Sequence, residues 1–179
     1  MIIPDHIPKY NQCVKYSVYL DCPFKDTWKI ISRKSNLELF HPFCEKNVVK
    51  KWPGKGSIDE LRYLNGWVFE RNFLNWYENE GYDLLIGRKY GRQSYVSWRI
   101  APTKYPTKSK ISIIIYPFIF NTGSKFIQKI PFIFFVKPQL DSYLKSVLGG
   151  LQWYVINQTP IPKNYFGTHK WFSLKKGKK

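Results

Sequence analysis

From residue 43 to residue 120 the apolar side chains recur with a period of two, and between residues 137 and 154 the period changes once, to that of a helix. No other feature restricts the fold as much. About six consecutive strands joined by short turns form an antiparallel sheet, and a single amphipathic helix after them must cover one face of it. The predicted strands span 43–51, 57–64, 67–77, 82–89, 93–101 and 109–120, with Pro- and Gly-bearing turns at 52–56, Asn65-Gly66, Glu80-Gly81 and Gly91, and a loop over 102–108. The run 111–115 is apolar but for Ser112, which predicts cover on both faces.

In the predicted helix Leu140, Leu144, Val147, Leu151 and Tyr154 make one continuous stripe, starting near Lys137-Pro138 and stopped by Pro160 and Pro162. Gly149-Gly150 interrupts it at about 1 kcal/mol per glycine relative to alanine. Close packing of the helix backbone onto a neighbouring strand is the expected reason; a kink that leaves room between helix and sheet is the alternative. Before the sheet, Val14, Tyr16, Val18 and Leu20 alternate with polar positions and predict a half-buried strand over 13–20. Asp21 then offers an N-cap, Pro23 a first-turn proline, and Phe24, Thr27, Trp28 and Ile31 a short helical face. Residues 35–40 predict a second helical turn, stopped by His41-Pro42.

Asn65-Gly66 between alternating segments is a strong hairpin signal, and a two-residue turn sets a register. With 64 facing 67, Arg62 faces Phe69, Glu60 faces Arg71 and Ile58 faces Phe73 on one face, while Asp59 and Glu70 fall on the other, solvated face. Glu60 and Arg71 are then a cross-strand ion pair. Because Leu64, Trp67, Phe69, Ile58 and Phe73 share that face, inward placement is preferred, and Arg62 would be free to hold a carboxylate or phosphate. Outward placement would make the same residues a surface pair worth about 0 to 1 kcal/mol.

The 179 residues carry 29 Lys plus Arg against 12 Asp plus Glu, a formal charge of +17, with 44% hydrophobic and 18% aromatic residues. That apolar content supports one folded core and excludes global disorder. The cations are mostly Lys, spread from Lys9 to Lys179 with four in the last five residues, which fits a solvated basic surface before it fits bidentate phosphate recognition. An anionic membrane surface is a possible partner, and nucleic acid a less favoured one. Cys13, Cys22 and Cys44 form no C-x-x-C pair, so a reducing, cytoplasmic home is expected. Residues 1–6 give no leader signal, and the charge-free segment 111–124, with Pro117 inside it, is too short to span a bilayer.

Several segments carry a family resemblance. The run 21–28, Asp-Cys-Pro-Phe-Lys-Asp-Thr-Trp, resembles the start of the first helix in the START/Bet v 1-like (SRPBCC) superfamily, related to polyketide cyclase/dehydrases. The run 36–43, Asn-Leu-Glu-Leu-Phe-His-Pro-Phe, resembles the segment that follows it, 54–57 the glycine turn before the third strand, and 63–66 the next hairpin. The run 166–173, Phe-Gly-Thr-His-Lys-Trp-Phe-Ser, resembles an extra signature of an uncharacterised bacterial subgroup. The resemblance covers about residues 13–158, between an N-terminal extension over 1–12 and a tail over 159–179. It implies an α+β helix-grip fold: a curved antiparallel sheet of about seven strands wrapped around a long C-terminal helix, two short helices after the first strand, and an elongated apolar cavity. The 13 Phe, 13 Tyr and 7 Trp residues are natural lining for such a cavity.

No P-loop, G-x-S-x-G, G-x-G-x-x-G or metal-ligand spacing occurs, and His6, His41 and His169 lie far apart, so neither a metal nor a cofactor is expected. Cys44 near His41 is expected to be structural rather than a thiol–base pair. His41 as an acid or base is the minor alternative to a turn histidine. The candidate ligand-binding residues are Glu60, Arg62, Arg71, His41, Phe69, Phe73, Trp98, Tyr116, Leu144 and Leu151. The Phe- and Ile-rich stretch 116–137, with Lys125, Lys129 and Lys137, is either an entrance that touches lipid or a helix approach buried under the fold. The leading expectation is binding or transport of a hydrophobic small molecule, lipid-like or polyketide-like, without catalysis. A polyketide cyclase/aromatase-type enzyme and a basic module for ribosomal RNA or a chaperone are the alternatives.

Overall fold

A computed structural model describes residues 10–121 and 125–173; the side chain of Lys125, His6 with the rest of residues 1–9, and the four terminal lysines lie outside the described residues. The chain runs β1 (Val14–Leu20), α1 (Phe24–Ile31), α2 (Leu37–Phe40), β2 (Cys44–Lys51), β3 (Ile58–Tyr63), β4 (Val68–Tyr77), β5 (Gly81–Gly87), β6 (Gln93–Pro102) and β7 (Ser109–Tyr116). Three helical segments follow head to tail: α3 (Lys125–Pro131), a π-helical turn (Phe132–Val136) and α4 (Lys137–Asn157). The seven strands form one antiparallel sheet in the order β1-β7-β6-β5-β4-β3-β2. This is the expected helix-grip arrangement.

The first and last strands lie side by side, so β1 and β2 are the edges, and α4 approaches most closely β1 and α2. Elsewhere the sheet curves away from the helix. The predicted stripe faces it: Leu140, Leu144, Val147 and Leu151 are buried and Tyr154 half-buried. Alternation on the opposing strands buries Leu61 and Tyr63, Leu84, Val96 and Trp98, and Ile111, Ile113 and Ile115 on the concave face.

Three local expectations change. Helix α1 starts after Pro23, which occupies the N-cap position without a side-chain cap, and Asp21 instead pairs with Lys108 at 2.6 Å. Strand β7 ends at Tyr116 because Pro117 has no N–H to give to a neighbouring strand. The approach to the long helix is itself helical: Pro138 cannot donate to the carbonyl four residues back, and the Lys137 N–H reaches Phe132 O instead, five residues back, giving the π turn.

The glycine pair has a packing reason, although the partner is not a strand. A Cβ on Gly150 would stand 2.0 Å from the Phe40 carbonyl oxygen of α2, and one on Gly149 would stand 3.1 Å from the Phe166 ring of the tail. The tail is tied down by backbone bonds from Ile161 N to Leu39 O and from Asn164 N to Pro42 O, both 2.9 Å. Its end returns to the hairpin between β3 and β4, where Asn65 Nδ2 donates to Trp171 O at 2.5 Å and Phe172 stacks on Tyr63 at 4.5 Å between ring centres.

The hairpin register overturns the expected Glu60–Arg71 pair. Tyr63 N–H donates to Trp67 O and Gly66 N–H to Tyr63 O, so three residues form the loop; of these Gly66 has positive φ, at +85°, and Asn65 does not. A two-residue type I′ turn requires both to be positive. Adding one loop residue shifts the pairing by one and exchanges the faces of β3, while those of β4 stay as expected. Asp59 now faces Arg71, Glu60 faces Glu70, and Arg62 faces Val68. Asp59 and Arg71 point inward, while Glu60, Arg62 and Glu70 point outward, where Lys50 bridges Glu60 at 2.9 Å and Glu70 at 3.1 Å.

Candidate functional site

Between α4 and the concave face lies a cavity of about 580 Å³. Its walls are Leu84, Ile86, Val96, Trp98, Ile113 and Ile115 from the sheet and Val136, Leu140, Leu144 and Val147 from the helical side. The hairpins β3–β4 and β5–β6 and the end of β7 lie at the same end of the sheet. They place Trp67, Arg88, Arg92 and Pro117 to Ile119 around the mouth, and Trp171 and Phe172 complete the wall from the tail.

Of the residues expected at the site, the structure brings His41, Phe69, Arg71, Trp98 and Leu144 to the cavity. Glu60 and Arg62 are on the outer face, 3.8 Å apart, because of the register shift. Phe73 is buried but packs among Trp52, Trp76 and Tyr82 beyond the cavity wall. Tyr116 alternates away from Ile115 and packs on Tyr95. Leu151 is fully buried below the cavity in the core. The residues that sequence reasoning passed over are Tyr63, Tyr143, Asp59, Trp171 and Phe172. Tyr143 was legible in principle, since it precedes Leu144 and lies three residues after Leu140 on the buried helical face.

One wall is polar. Pro42 forces His41 into extended backbone at the end of α2, and the imidazole turns inward, fully buried. Phe43 N–H donates to His41 Nδ1 at 3.2 Å, so the ring proton sits on Nε2, which stands 2.8 Å from Tyr143 Oη and donates to it. Tyr143 and Tyr63 hydroxyls are 3.2 Å apart. Only one phenolic hydrogen can be used between the two oxygens. The other has no acceptor among the described residues, and both rings line the cavity. Burial, then the Arg71 charge, lowers the His41 pKa to about 3, so the imidazole is neutral, and burial raises both phenols.

Arg71 is the only buried cation on this wall among the described residues, and it is already matched. Its Nε and Nη2 meet the two oxygens of Asp59 at 2.7 and 2.5 Å, and Nη2 reaches Asn36 and Asn47 Oδ1 at 3.4 Å. Burial works against the charge, but the Asp59 carboxylate outweighs it and raises the guanidinium pKa. Cys44 is buried and its thiol is pushed up to about 12 by that burial, while both His41 ring nitrogens are engaged elsewhere. That geometry makes no thiol–base pair. No group of three or more metal-ligating side chains occurs among the described residues.

No protein-family profile and no curated protein sequence matches this chain. Solved structures do. DynU16, described as a putative protein in the dynemicin biosynthetic locus, superposes with a TM-score of 0.62 at 14% identity over 84% of this chain, which spans about half (49%) of that protein. XoxI from Bacillus cereus gives 0.61 at 11% identity, over 82% of this chain and 96% of its own. A START superfamily protein from Mycobacterium smegmatis gives 0.59 at 12% identity, over 82% and 99%. The chain has the helix-grip fold of the START/Bet v 1-like superfamily.

Proposed function

We propose that the protein binds, and by release elsewhere transports, a largely apolar small molecule carrying one uncharged oxygen acceptor. The cavity supports this reading by its size, which lies in the range of small-ligand sites, and by its apolar walls. The observation that carries it is the spare phenolic hydrogen of the Tyr63–Tyr143 pair on the wall of a mainly apolar cavity. A buried donor without an acceptor is costly, and a ligand carbonyl, ether or hydroxyl oxygen would satisfy it. At that wall a carboxylate would find no free cation, since Arg71 is neutralised by Asp59 and Arg88 and Arg92 stand at the mouth. The unpaired cysteines fit the reducing cytoplasm in which we place this activity.

Native mass spectrometry of protein purified from cells, followed by solvent extraction, is the direct test: a co-purifying neutral apolar molecule is expected, and consistent absence of any ligand argues against the reading. Tyr63→Phe combined with Tyr143→Phe removes both hydroxyls, either of which alone would keep a hydrogen to give, and leaves the rings. It is expected to weaken a long-chain ketone about ten-fold or more and a hydrocarbon of equal length hardly at all, by calorimetry. Equal loss for both would remove the hydrogen bond from the account. The cyclase-type reading has less support, because His41 keeps no free basic nitrogen: Nδ1 is occupied by a backbone N–H and Nε2 carries the proton.

A further inference from the structure

The helical approach to α4 is apolar on the side that faces away from the protein. Phe126 is 89% exposed, Ile127 77%, Ile130 66%, Phe134 70% and Phe135 67%, whereas Phe132 and Val136 of the same segment are buried in the core. A segment anchored through one face and apolar on the other has no reason to stand in water. Ile119 and Phe120, also partly exposed, follow Pro117 and Phe118 at the cavity mouth, and Val136 of the π turn lines the same cavity.

Charge tells which partner fits. Residues 1–83 contain 12 cations and 11 acids, so they are nearly neutral, while residues 84–179 contain 17 cations and one acid. That acid, Asp141, is 2.5 Å from Lys137. The cations are dispersed along the chain, but the acids are not, so +16 of the +17 falls in residues 84–179, which include the β5–β6 hairpin at the mouth and the helices α3 and α4. Exposed Arg88 and Arg92 flank the mouth and exposed Lys129 lies within the apolar segment.

From these observations we infer that α3 and the π turn, with the adjoining cavity mouth, form a docking surface for an anionic lipid bilayer. The 12 residues from Lys125 to Val136 are too few to cross a bilayer and long enough to lie along its interface. Phe126, Ile127, Ile130, Phe134 and Phe135 enter the acyl boundary, while Lys129, Arg88 and Arg92 meet the phosphates. A second copy of this chain is a poorer occupant, because a twofold contact through this surface brings two cationic mouths together. The inference rests on the proposed ligand reading for its purpose: the cavity would open against the membrane, and an apolar ligand would pass between the two without crossing water.

The test is flotation of the full chain with phosphatidylcholine vesicles, alone and mixed with phosphatidylglycerol, alongside binding of the uncharged dye Nile red to the cavity. Binding to the mixed vesicles, weakened by added salt and absent on phosphatidylcholine alone, is expected. Phe134→Ser with Phe135→Ser should lower it at least about ten-fold while Nile red binding and melting temperature stay unchanged. Arg92→Glu with Lys129→Glu should lower binding to the mixed vesicles and weaken its dependence on salt. No flotation with intact Nile red binding overturns the docking and leaves the ligand reading standing; flotation without Nile red binding does the reverse. Preferential binding to polyuridylate, or a concentration-dependent dimer abolished by the Phe134/Phe135 change, also overturns the docking.

Discussion

Asp59 decides what the β3–β4 hairpin does. Its side chain is fully buried and its two oxygens carry the Arg71 guanidinium, so removal of either partner strands a charge in the core. Asp59→Ala is expected to destabilise the protein by about 3 to 5 kcal/mol, whereas Asp59→Ala combined with Arg71→Met should recover much of that loss. Glu60→Ala, on the outer face with Lys50 and Arg62, should cost less than about 1 kcal/mol. Urea unfolding of the variants separates the two registers directly, because the two-residue turn predicts the opposite order. At the same scale, the polar wall joins residues that no local signal connects: His41 and Tyr143 are 102 positions apart, and each is unremarkable in its own segment, one a residue before a proline and the other a tyrosine on a helix.

At the scale of elements, α4 holds its place through backbone contact as much as through its stripe. With the Phe40 carbonyl 2.0 Å from where a Cβ would stand, Gly150→Ala must push α2 and α4 apart, at about 1 to 3 kcal/mol. Gly149→Ala meets only the half-exposed Phe166 ring and should cost less. Thermal melts of the two single variants test the ranking, and equal losses would contradict it. The displacement in Gly150→Ala would also move His41, which follows Phe40, so ligand binding should fall with stability in that variant and not in Gly149→Ala. The tail acts as one more wall. His169 stands 3.0 Å from Gln139 O and accepts Trp171 N–H at 3.1 Å, which turns Trp171 and Phe172 toward the cavity. The run 166–173 reads in the sequence as a signature without a place, and its place is the side of the cavity that the seven strands leave open.

For the whole molecule, acid should be destabilising well before the carboxylates of the surface matter. His41 faces Tyr63, Tyr143 and Arg71, with Lys163 and His169 nearby, and its folded pKa of about 3 lies below the ordinary 6.5. The unfolded chain therefore takes up the proton first. The stability tied to His41 is complete above pH 6.5 and is lost as the pH falls toward 3, with a limiting slope of about 1.4 kcal/mol per pH unit. His169, also lowered by burial, adds in the same direction. Urea midpoints between pH 7 and pH 4 should decline steadily, and His41→Gln should flatten that decline; an unchanged slope would place the titrating group elsewhere. No described helix is long and apolar enough to cross a membrane. Among the described residues the densest run of exposed apolar side chains is the short segment before α4, whose length suits lying on a bilayer rather than spanning one.

The sequence by itself determined the order of the elements, the antiparallel sheet and the buried stripe of α4, because a period of two or of 3.6 is a local property that neighbouring residues state together. Half of the ten residues that the sequence offered for the site, His41, Phe69, Arg71, Trp98 and Leu144, line the cavity, and all but His41 follow from strand alternation or the helical stripe. Tertiary structure alone decided the rest. A hairpin loop of three residues instead of two exchanged Glu60 for Asp59 as the partner of Arg71, turning an expected anion site into a neutral one. Meanwhile α2, α4 and β3 brought His41, Tyr143 and Tyr63 within hydrogen-bonding reach. Faces and long-range meetings depend on one-residue choices in turns and on how the sheet curves around the helix, and neither leaves a periodic trace in the chain.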